Sequence, residues 1–264
     1  MQAPRIVVKV GTNVMTNRDR RIVRPVLRNL VRQIAEVYER GLSTVLVSSG
    51  SIIAGMELLG PNISADNETQ RRQVYSATGQ PRLMGIYYEL FAEYGLRSAQ
   101  VLPTKSDFSV GAKRDNMVQC LEGLLGAGIL PVVNEDDAVS VTQSMFHDND
   151  ELASLMAELL GADRFIILTD ADGVFDGHPS HEHTSLIPSV SANDDLSHFI
   201  TESGKGEAEG RGGMGSKLAF AQQAARLGIP THIVNGTAHN SLVDVIDGKR
   251  VGTLVSPLSG TPVS

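Results

Sequence analysis

The chain has 264 residues, 41% of them hydrophobic, 20% charged and 5% aromatic, and at about 150 residues per domain it makes one large domain or two small ones. Thirty acidic residues against 23 basic ones leave a formal net charge of −7, which argues against a cationic nucleic-acid footprint, and 7 Phe, 5 Tyr and no Trp leave little for base stacking. Cys120 is the single cysteine, so no internal disulfide and no cysteine-based metal cluster can form, and a reducing, cytoplasmic setting is expected.

Met1 to Arg5 runs directly into Ile6-Val7-Val8, without the basic and then apolar stretches of a signal peptide. No window approaches the ~18 consecutive apolar residues of a membrane span. A soluble protein with neither membrane nor nucleic-acid partners is therefore expected. Strands are predicted at Arg5–Val10, Thr44–Ser48, Ala99–Leu102, Ile129–Asn134, Arg164–Thr169, Thr231–Asn235 and Thr253–Ser256. Near-continuous apolar runs such as Phe165-Ile166-Ile167-Leu168 suit strands covered on both faces. Helical patterns fall at Val23–Arg40, Asn67–Tyr94, Asn116–Ala127, Asn149–Leu160 and Ser216–Leu227. In the first of them Val26, Leu30, Ile34 and Val37 form one stripe. Gly41, Gly95, Gly128, Gly161 and Gly228 follow helical segments, where a left-handed cap is wanted. Pro81 is expected to kink or split the long segment, and Cys120, beside Leu121, to lie in the core. Tyr75, Tyr87, Tyr88, Phe91 and Tyr94 are expected in the interior or between subunits. The polar stretch His178–Arg211, interrupted by Leu186-Ile187-Pro188, reads as a long, partly ordered surface excursion. Strand alternating with helix means an α/β fold with a mainly parallel central sheet, here taken as one domain.

In such sheets ligands bind beyond the carboxyl ends of the strands. Four of those ends carry small or polar turns. Lys9 and then Gly11-Thr12-Asn13 end the first strand, Ser49-Gly50-Ser51 opens a helix after the second, Asn134-Glu135-Asp136-Asp137 follows the fourth, and Thr169-Asp170-Ala171-Asp172-Gly173 the fifth. Turns of this kind let backbone N–H groups and helix N-termini approach an anion. The run Gly210-Arg211-Gly212-Gly213-Met214-Gly215-Ser216-Lys217 satisfies G-x-G-x-x-G, but a polar, acidic loop precedes it where a dinucleotide fingerprint needs a strand. It reads either as a surface turn or as a flexible loop that wraps phosphates, with Lys217 supplying a mobile positive charge. In Asp148-Asn149-Asp150, Asp148 or Asn149 can cap the following helix, which leaves at least one of the three to face a ligand or a lysine. His181 and His183 form an H-x-H without a third metal ligand nearby, and no Ser-His-Asp arrangement is supported.

Read in order, Val8-Lys9-Val10-Gly11-Thr12, Val47-Ser48-Ser49-Gly50, Gly79-Gln80, the stretch from Val133 to Val139, Asp148-Asn149-Asp150, Leu168-Thr169-Asp170 and Gly212-Gly213-Met214 resemble the amino acid kinase family, and within it the glutamate 5-kinases. The resemblance covers essentially the whole chain. It implies a three-layer αβα sandwich, with the acidic substrate over the N-terminal half and ATP over the C-terminal half. The implied reaction is phosphorylation of L-glutamate by ATP with Mg²⁺, the metal held mainly by nucleotide phosphates and water and no protein ligand assigned to it. By resemblance Lys9 and Lys217 act on the phosphates and Asp150 holds both ammonium groups, while Gly11 and Gly50 offer backbone N–H groups. Ser49, Asp137 and Asn149 would grip glutamate, with Asn134 and Asp148 close behind. Thr169, Asp170, Arg211, Gly212, Gly213, Met214, Gly215, Ser216 and Lys217 would line the nucleotide site. A homodimer or homotetramer and feedback by proline are further implications.

The chain departs from the family pattern at Met145-Phe146-His147, at Asp136, from Asp107 to Arg114 and at Arg211, and a form without the C-terminal PUA domain of many relatives is expected. Two alternatives follow: a sister kinase acting on another small carboxylate or phosphate, and a non-catalytic nucleotide- or amino-acid-binding regulator. The presence of both Lys9 and Lys217 argues against the regulator, since a mere binder needs no charge specialised for a transition state.

Overall fold

β-Branched runs that are apolar throughout must be covered above and below, and helices supply both covers here. The computed structural model describes residues 3–140, 145–177, 184–195 and 213–258. The strands are β1 (Arg5–Val10), β2 (Ser43–Ser48), β3 (Arg97–Val101), β4 (Ile129–Val133), β5 (Arg164–Thr169), β6 (Ser189–Ser191), β7 (Thr231–Asn235) and β8 (Thr253–Ser256). The helices are α1 (Thr12–Met15), α2 (Arg24–Glu39), α3 (Ser51–Leu59), α4 (Glu68–Ala92), α5 (Ala112–Gly126), α6 (Asn149–Leu159), α7 (Met214–Arg226) and α8 (Ser241–Ile246), with a 3-10 turn at Lys105–Phe108.

One eight-stranded sheet runs in the order β3-β4-β2-β1-β5-β7-β8-β6. Its pairings are parallel except β7 with β8. The chain leaves β1 toward β2 on one side and reaches β5 on the other, so the loops after β1 and β5 border a switch point, where α/β sheets open a crevice. Alternation along β1 sends Ile6, Val8 and Val10 to the face packed by α2, α4 and α8, and Val7 to the face packed by α5, α6 and α7. Lys9 shares the parity of Val7 and so faces α6 and α7.

The five glycines expected to close helices all take positive φ, between 54° and 89°. Four expectations are narrowed or corrected. Of the two outcomes expected at Pro81, the split is ruled out: α4 runs unbroken from Glu68 to Ala92 with the proline inside it. Burial of Leu83, Met84, Tyr87, Leu90 and Phe91 beyond the proline, and a close crossing with α3 before it, outweigh one lost hydrogen bond. Cys120 is exposed, because α5 turns Met117 and Leu121 inward. Tyr75, Tyr87 and Phe91 are buried as expected, whereas Tyr88 and Tyr94 are exposed on the single chain, which excludes the interior for these two and leaves the other expected place, between subunits. Within the polar excursion Ser189–Ser191 is an edge strand parallel to β8, and its single buried apolar residue, Val190, is too little to show a period.

Candidate active site

Lys9 stands one residue from the end of β1, on the face where α6 and α7 pack. Asp150 lies in the first turn of α6 and Lys217 in the first turn of α7. The three meet: Lys9 Nζ is 2.7 Å from Asp150 Oδ1, and Lys217 Nζ is 3.3 Å from Asp150 Oδ2. Asp150 is fully buried and both lysines nearly so. Two ammonium groups on one carboxylate leave the trio with one net positive charge in a low-dielectric setting. Burial pulls the Lys9 ammonium below the ordinary lysine value and the Lys217 charge adds to that, against the opposing pull of Asp150.

The N-terminus of α6 explains why three polar residues stand in a row. Asp148 is the N-cap, its Oδ1 accepting from the N–H groups of Asp150 at 2.8 Å and Glu151 at 3.1 Å. Ser216 donates its hydroxyl to Asp148 Oδ2, tying α7 to α6. Burial alone would push the Asp148 carboxyl up, but these donors and the Lys9 charge together hold it below the ordinary carboxylate value. Asn149 points the other way, toward the loops after β2 and β4. Its Nδ2 donates to Ser49 Oγ and to Asn134 Oδ1, both at 2.9 Å.

Two glycines shape the floor. Gly50 caps α3 at φ +107°, a conformation that side chains with a Cβ rarely adopt, and a Cβ there would come within 2.9 Å of Met15 Cε. At Gly11 an added Cβ would stand 3.4 Å from Lys9 Nζ. The loop after β5 joins the loop after β1 through Asn13 Nδ2, which donates to Asp170 Oδ2 at 3.3 Å, while Thr169 Oγ1 donates to Asp170 Oδ1 at 3.2 Å.

All these loops border one cavity of about 670 Å³. Of the expected site residues, Lys9, Gly11, Ser49, Gly50, Asn134, Asp137, Asp148, Asn149, Asp150, Thr169, Asp170, Gly213, Met214 and Lys217 line it. Gly215 and Ser216 lie in α7 without lining it, and Ser216 acts through Asp148. Arg211 and Gly212 lie outside the described residues, as do His181 and His183.

Sequence reasoning missed part of the wall. Glu68, Arg71, Arg72 and Tyr75 of α4 line the cavity, and Arg72 approaches Asp137 to 3.8 Å. Their spacing of three, four and seven was a legible helical stripe, but a polar stripe reads equally well as a solvated face. Two departures from the family pattern prove to touch each other. Phe108 and Phe146 meet edge to face with ring centroids 5.6 Å apart. Beside them Lys105 pairs with Glu151 Oε1 at 2.5 Å, and Glu151 Oε2 accepts from the His147 N–H at 2.6 Å. The segment before Asp148 is thus braced by the 3-10 turn.

A model of the amino acid kinase family matches residues 4–235. The glutamate 5-kinase of Bacteroides thetaiotaomicron is 40% identical over 242 residues, covering 92% of this chain and 66% of its own length. That of Chlorobaculum tepidum is 42% identical over 252 residues, covering 94% of this chain and 68% of its own. This chain thus spans about two thirds of the length of those relatives. The glutamate 5-kinase of Symbiobacterium thermophilum, 38% identical over 253 residues, is covered over 95% of its length. Among solved structures, the T. acidophilum isopentenyl phosphate kinase product complex superposes with a TM-score of 0.64 at 16% identity, over 95% of this chain and 99% of that one. At that identity the likeness speaks for the fold, which is the three-layer α/β arrangement described above.

Proposed function

The chain belongs to the amino acid kinase family, on its glutamate 5-kinase branch, and from that premise we propose that it transfers the γ-phosphoryl group of ATP to the γ-carboxylate of L-glutamate. The products are ADP and L-glutamyl 5-phosphate, the first step of proline biosynthesis. The observation that carries the reading is the buried Lys9–Asp150–Lys217 trio at the seam between the two halves of the cavity.

The chemistry asks little else of the protein. A γ-carboxylate is already ionised at neutral pH, so no general base is required. One of its oxygens forms the new bond to the γ-phosphorus as the bond from that phosphorus to the bridging oxygen of ADP breaks. What the site must provide is alignment and neutralisation of charge on the moving phosphoryl group. In our reading Lys9 and Lys217 lie against its oxygens, and Asp150 keeps two like charges close enough to act together. The N–H groups of Gly11 and Gly50 add donors from the substrate side. Ser49, Asn149 and Asp137 hold glutamate, with Asn134 and Asp148 fixing their directions. Thr169, Asp170, Arg211, Gly212, Gly213, Met214 and Lys217 receive the nucleotide.

Mg²⁺ fits this site as an ion carried on the nucleotide, through phosphates and water, where it would neutralise phosphate charge. Among the described residues no group of three or more His, Cys, Asp or Glu is arranged to hold a metal, and both oxygens of Asp150 face lysines. We further read the chain as one domain, acting as a homodimer or homotetramer in the cytoplasm and subject to feedback by proline. No helix among the described residues is long and apolar enough to cross a membrane.

The test is ADP release from Mg·ATP with and without L-glutamate, with hydroxylamine present to trap an acyl phosphate as the hydroxamate. Glutamate-dependent turnover with hydroxamate supports the reading. Turnover only with aspartate, acetylglutamate or UMP redirects it to a sister kinase, and silence with every acceptor overturns the kinase assignment.

A further inference from the structure

Behind the substrate side of the cavity runs a chain of side-chain amides whose direction is fixed at one point by the backbone. The N–H of Glu135 can only donate, and it donates to Asn134 Oδ1 at 3.0 Å. Asn134 Nδ2 is therefore a donor on its other side, and it gives its hydrogen to Gln80 Oε1 at 2.9 Å. Gln80 Nε2 in turn donates to Gln100 Oε1 on β3 at 3.2 Å. Toward the cavity, Asn134 Oδ1 also accepts from Asn149 Nδ2, whose second hydrogen goes to Ser49 Oγ. Gln80 is 6% exposed and Asn134 2%, so turning either amide over would bury like polar atoms face to face.

The consequence lies at the end of the chain. Both hydrogens of Asn149 Nδ2 are taken within the protein, so its Oδ1 is the atom left to act on the cavity it lines. Ser49 Oγ, already an acceptor, has its own hydrogen left to give. An acceptor beside a donor is the complement of an α-amino acid, which presents an ammonium next to a carboxylate.

We propose that Gln80 is a positioning residue which, through Asn134, fixes Asn149 as the acceptor for the substrate's α-ammonium and so makes the site select an amino acid over a dicarboxylate lacking that group. The inference deepens the glutamate reading and rests on it. Its neighbour explains how a helix residue reaches so far in. Gly79 lets α4 sit against α3 so closely that a Cβ would fall 1.9 Å from the Ser51 carbonyl oxygen, which brings Gln80 beside the loop after β4. Without an acceptor at position 80, Asn134 Nδ2 is buried unpaired and gains by turning, which takes away the acceptor that orients Asn149.

The experiment is steady-state kinetics of the purified full chain with L-glutamate and with glutarate, its analogue without the ammonium, at saturating Mg·ATP. Gln80→Met is expected to raise KM for glutamate about tenfold while kcat and KM for ATP stay within about twofold, and to shrink the preference for glutamate over glutarate by a similar factor. Gln80→Glu keeps an acceptor for Asn134 and is expected to retain that preference. Gln100→Leu, at an exposed edge-strand position, tests the chain from its far end, where a rise of about threefold in KM for glutamate is expected. An unchanged preference in Gln80→Met overturns the proposal. So does a loss in which the ATP and glutamate constants worsen together, or a Gln80→Glu as impaired as Gln80→Met. If Gln80→Met does not fold, an unaltered Gln100→Leu overturns it equally. A wild-type chain that ignores glutamate defeats the substrate reading itself, and the wild-type measurement alone reveals that.

Discussion

Lys9 Nζ lies 2.7 Å from Asp150 Oδ1, and the carboxylate that receives it is wholly buried. Its other oxygen faces Lys217 at 3.3 Å, so one anion holds a residue of the first strand and a residue of α7 in one place. Removing that anion leaves two ammonium groups with nothing between them. Asp150→Asn should therefore lower kcat by about 100-fold or more, with KM for either substrate much less affected. It should also destabilise the fold by about 3 kcal/mol or more, since buried charges lose their partner. Lys217→Ala should lose turnover to a similar degree while keeping nearly wild-type stability. Kinetics at saturating substrates beside thermal melting separate the two effects. Full turnover in Lys217→Ala would remove the lysine from the mechanism.

Phe108 and Phe146 stand where the chain departs from the family pattern, and their edge-to-face contact links the 3-10 turn to the segment before Asp148. Phe146 is 2% exposed. Phe146→Ala should cost about 3–5 kcal/mol of stability, as buried aromatic truncations do. A double-mutant cycle with Phe108→Ala should show a coupling of about 0.5–1.5 kcal/mol from the ring pair, measured by urea unfolding. Additive losses would mean that the two departures are independent.

The mainly parallel sheet was legible because its central strands are nearly continuous apolar runs and the longer helices are followed by glycines. Lys9 was legible too, as a lone charge in the apolar run of β1, and so was the surplus of polar groups at Asp148-Asn149-Asp150. What could not be read was the pairing of Lys9 with Lys217 through Asp150 from residue types alone, because that contact depends on which helices share a face of the sheet. The family resemblance supplied it, and the parity of Lys9 with Val7 explains it. Arg72 and Glu68 escaped because a cavity wall and a solvated helix face have the same periodicity. Cys120 was misplaced because the inward stripe of α5 is only Met117 and Leu121, too sparse to fix its rotation.

Gly55 and Gly79 are the points at which α3 and α4 touch backbone to backbone. A Cβ on Gly55 would lie 2.0 Å from the Tyr75 carbonyl oxygen, and one on Gly79 2.2 Å from the Gly55 nitrogen. No rotamer change can relieve a clash with main chain, so the helices must separate. Gly79→Ala is expected to destabilise by about 1–3 kcal/mol despite the better helix propensity of alanine. Because α3 begins at Gly50 and α4 carries Gln80, its KM for glutamate should rise as well. Chemical denaturation and glutamate titration of the same preparation check both. A stabilised Gly79→Ala would show that the crossing has slack.

His232 on β7 supplies a pH dependence remote from the site. Burial, and then the nearby Arg164 charge, lower its pKa from 6.5 to about 4, and its Nδ1 has no hydrogen-bond partner among the described residues. A histidine depressed in the folded state contributes stability that is fully present above its unfolded value of about 6.5. As pH falls from there toward 4, the unfolded chain takes up a proton that the folded chain refuses, and the contribution is lost. With a shift of this size the loss amounts to ~2–3 kcal/mol by pH 4, most of it accumulating below pH 6. Urea unfolding at pH 7.5, 6 and 4.5 should show a steeper decline for the wild type than for His232→Gln, which has no group to titrate there. The other carboxylates and histidines titrate in both proteins, so the difference between the two curves isolates His232. Parallel curves, or a ring that titrates near pH 6.5 by NMR in the folded protein, would rule the buried neutral histidine out.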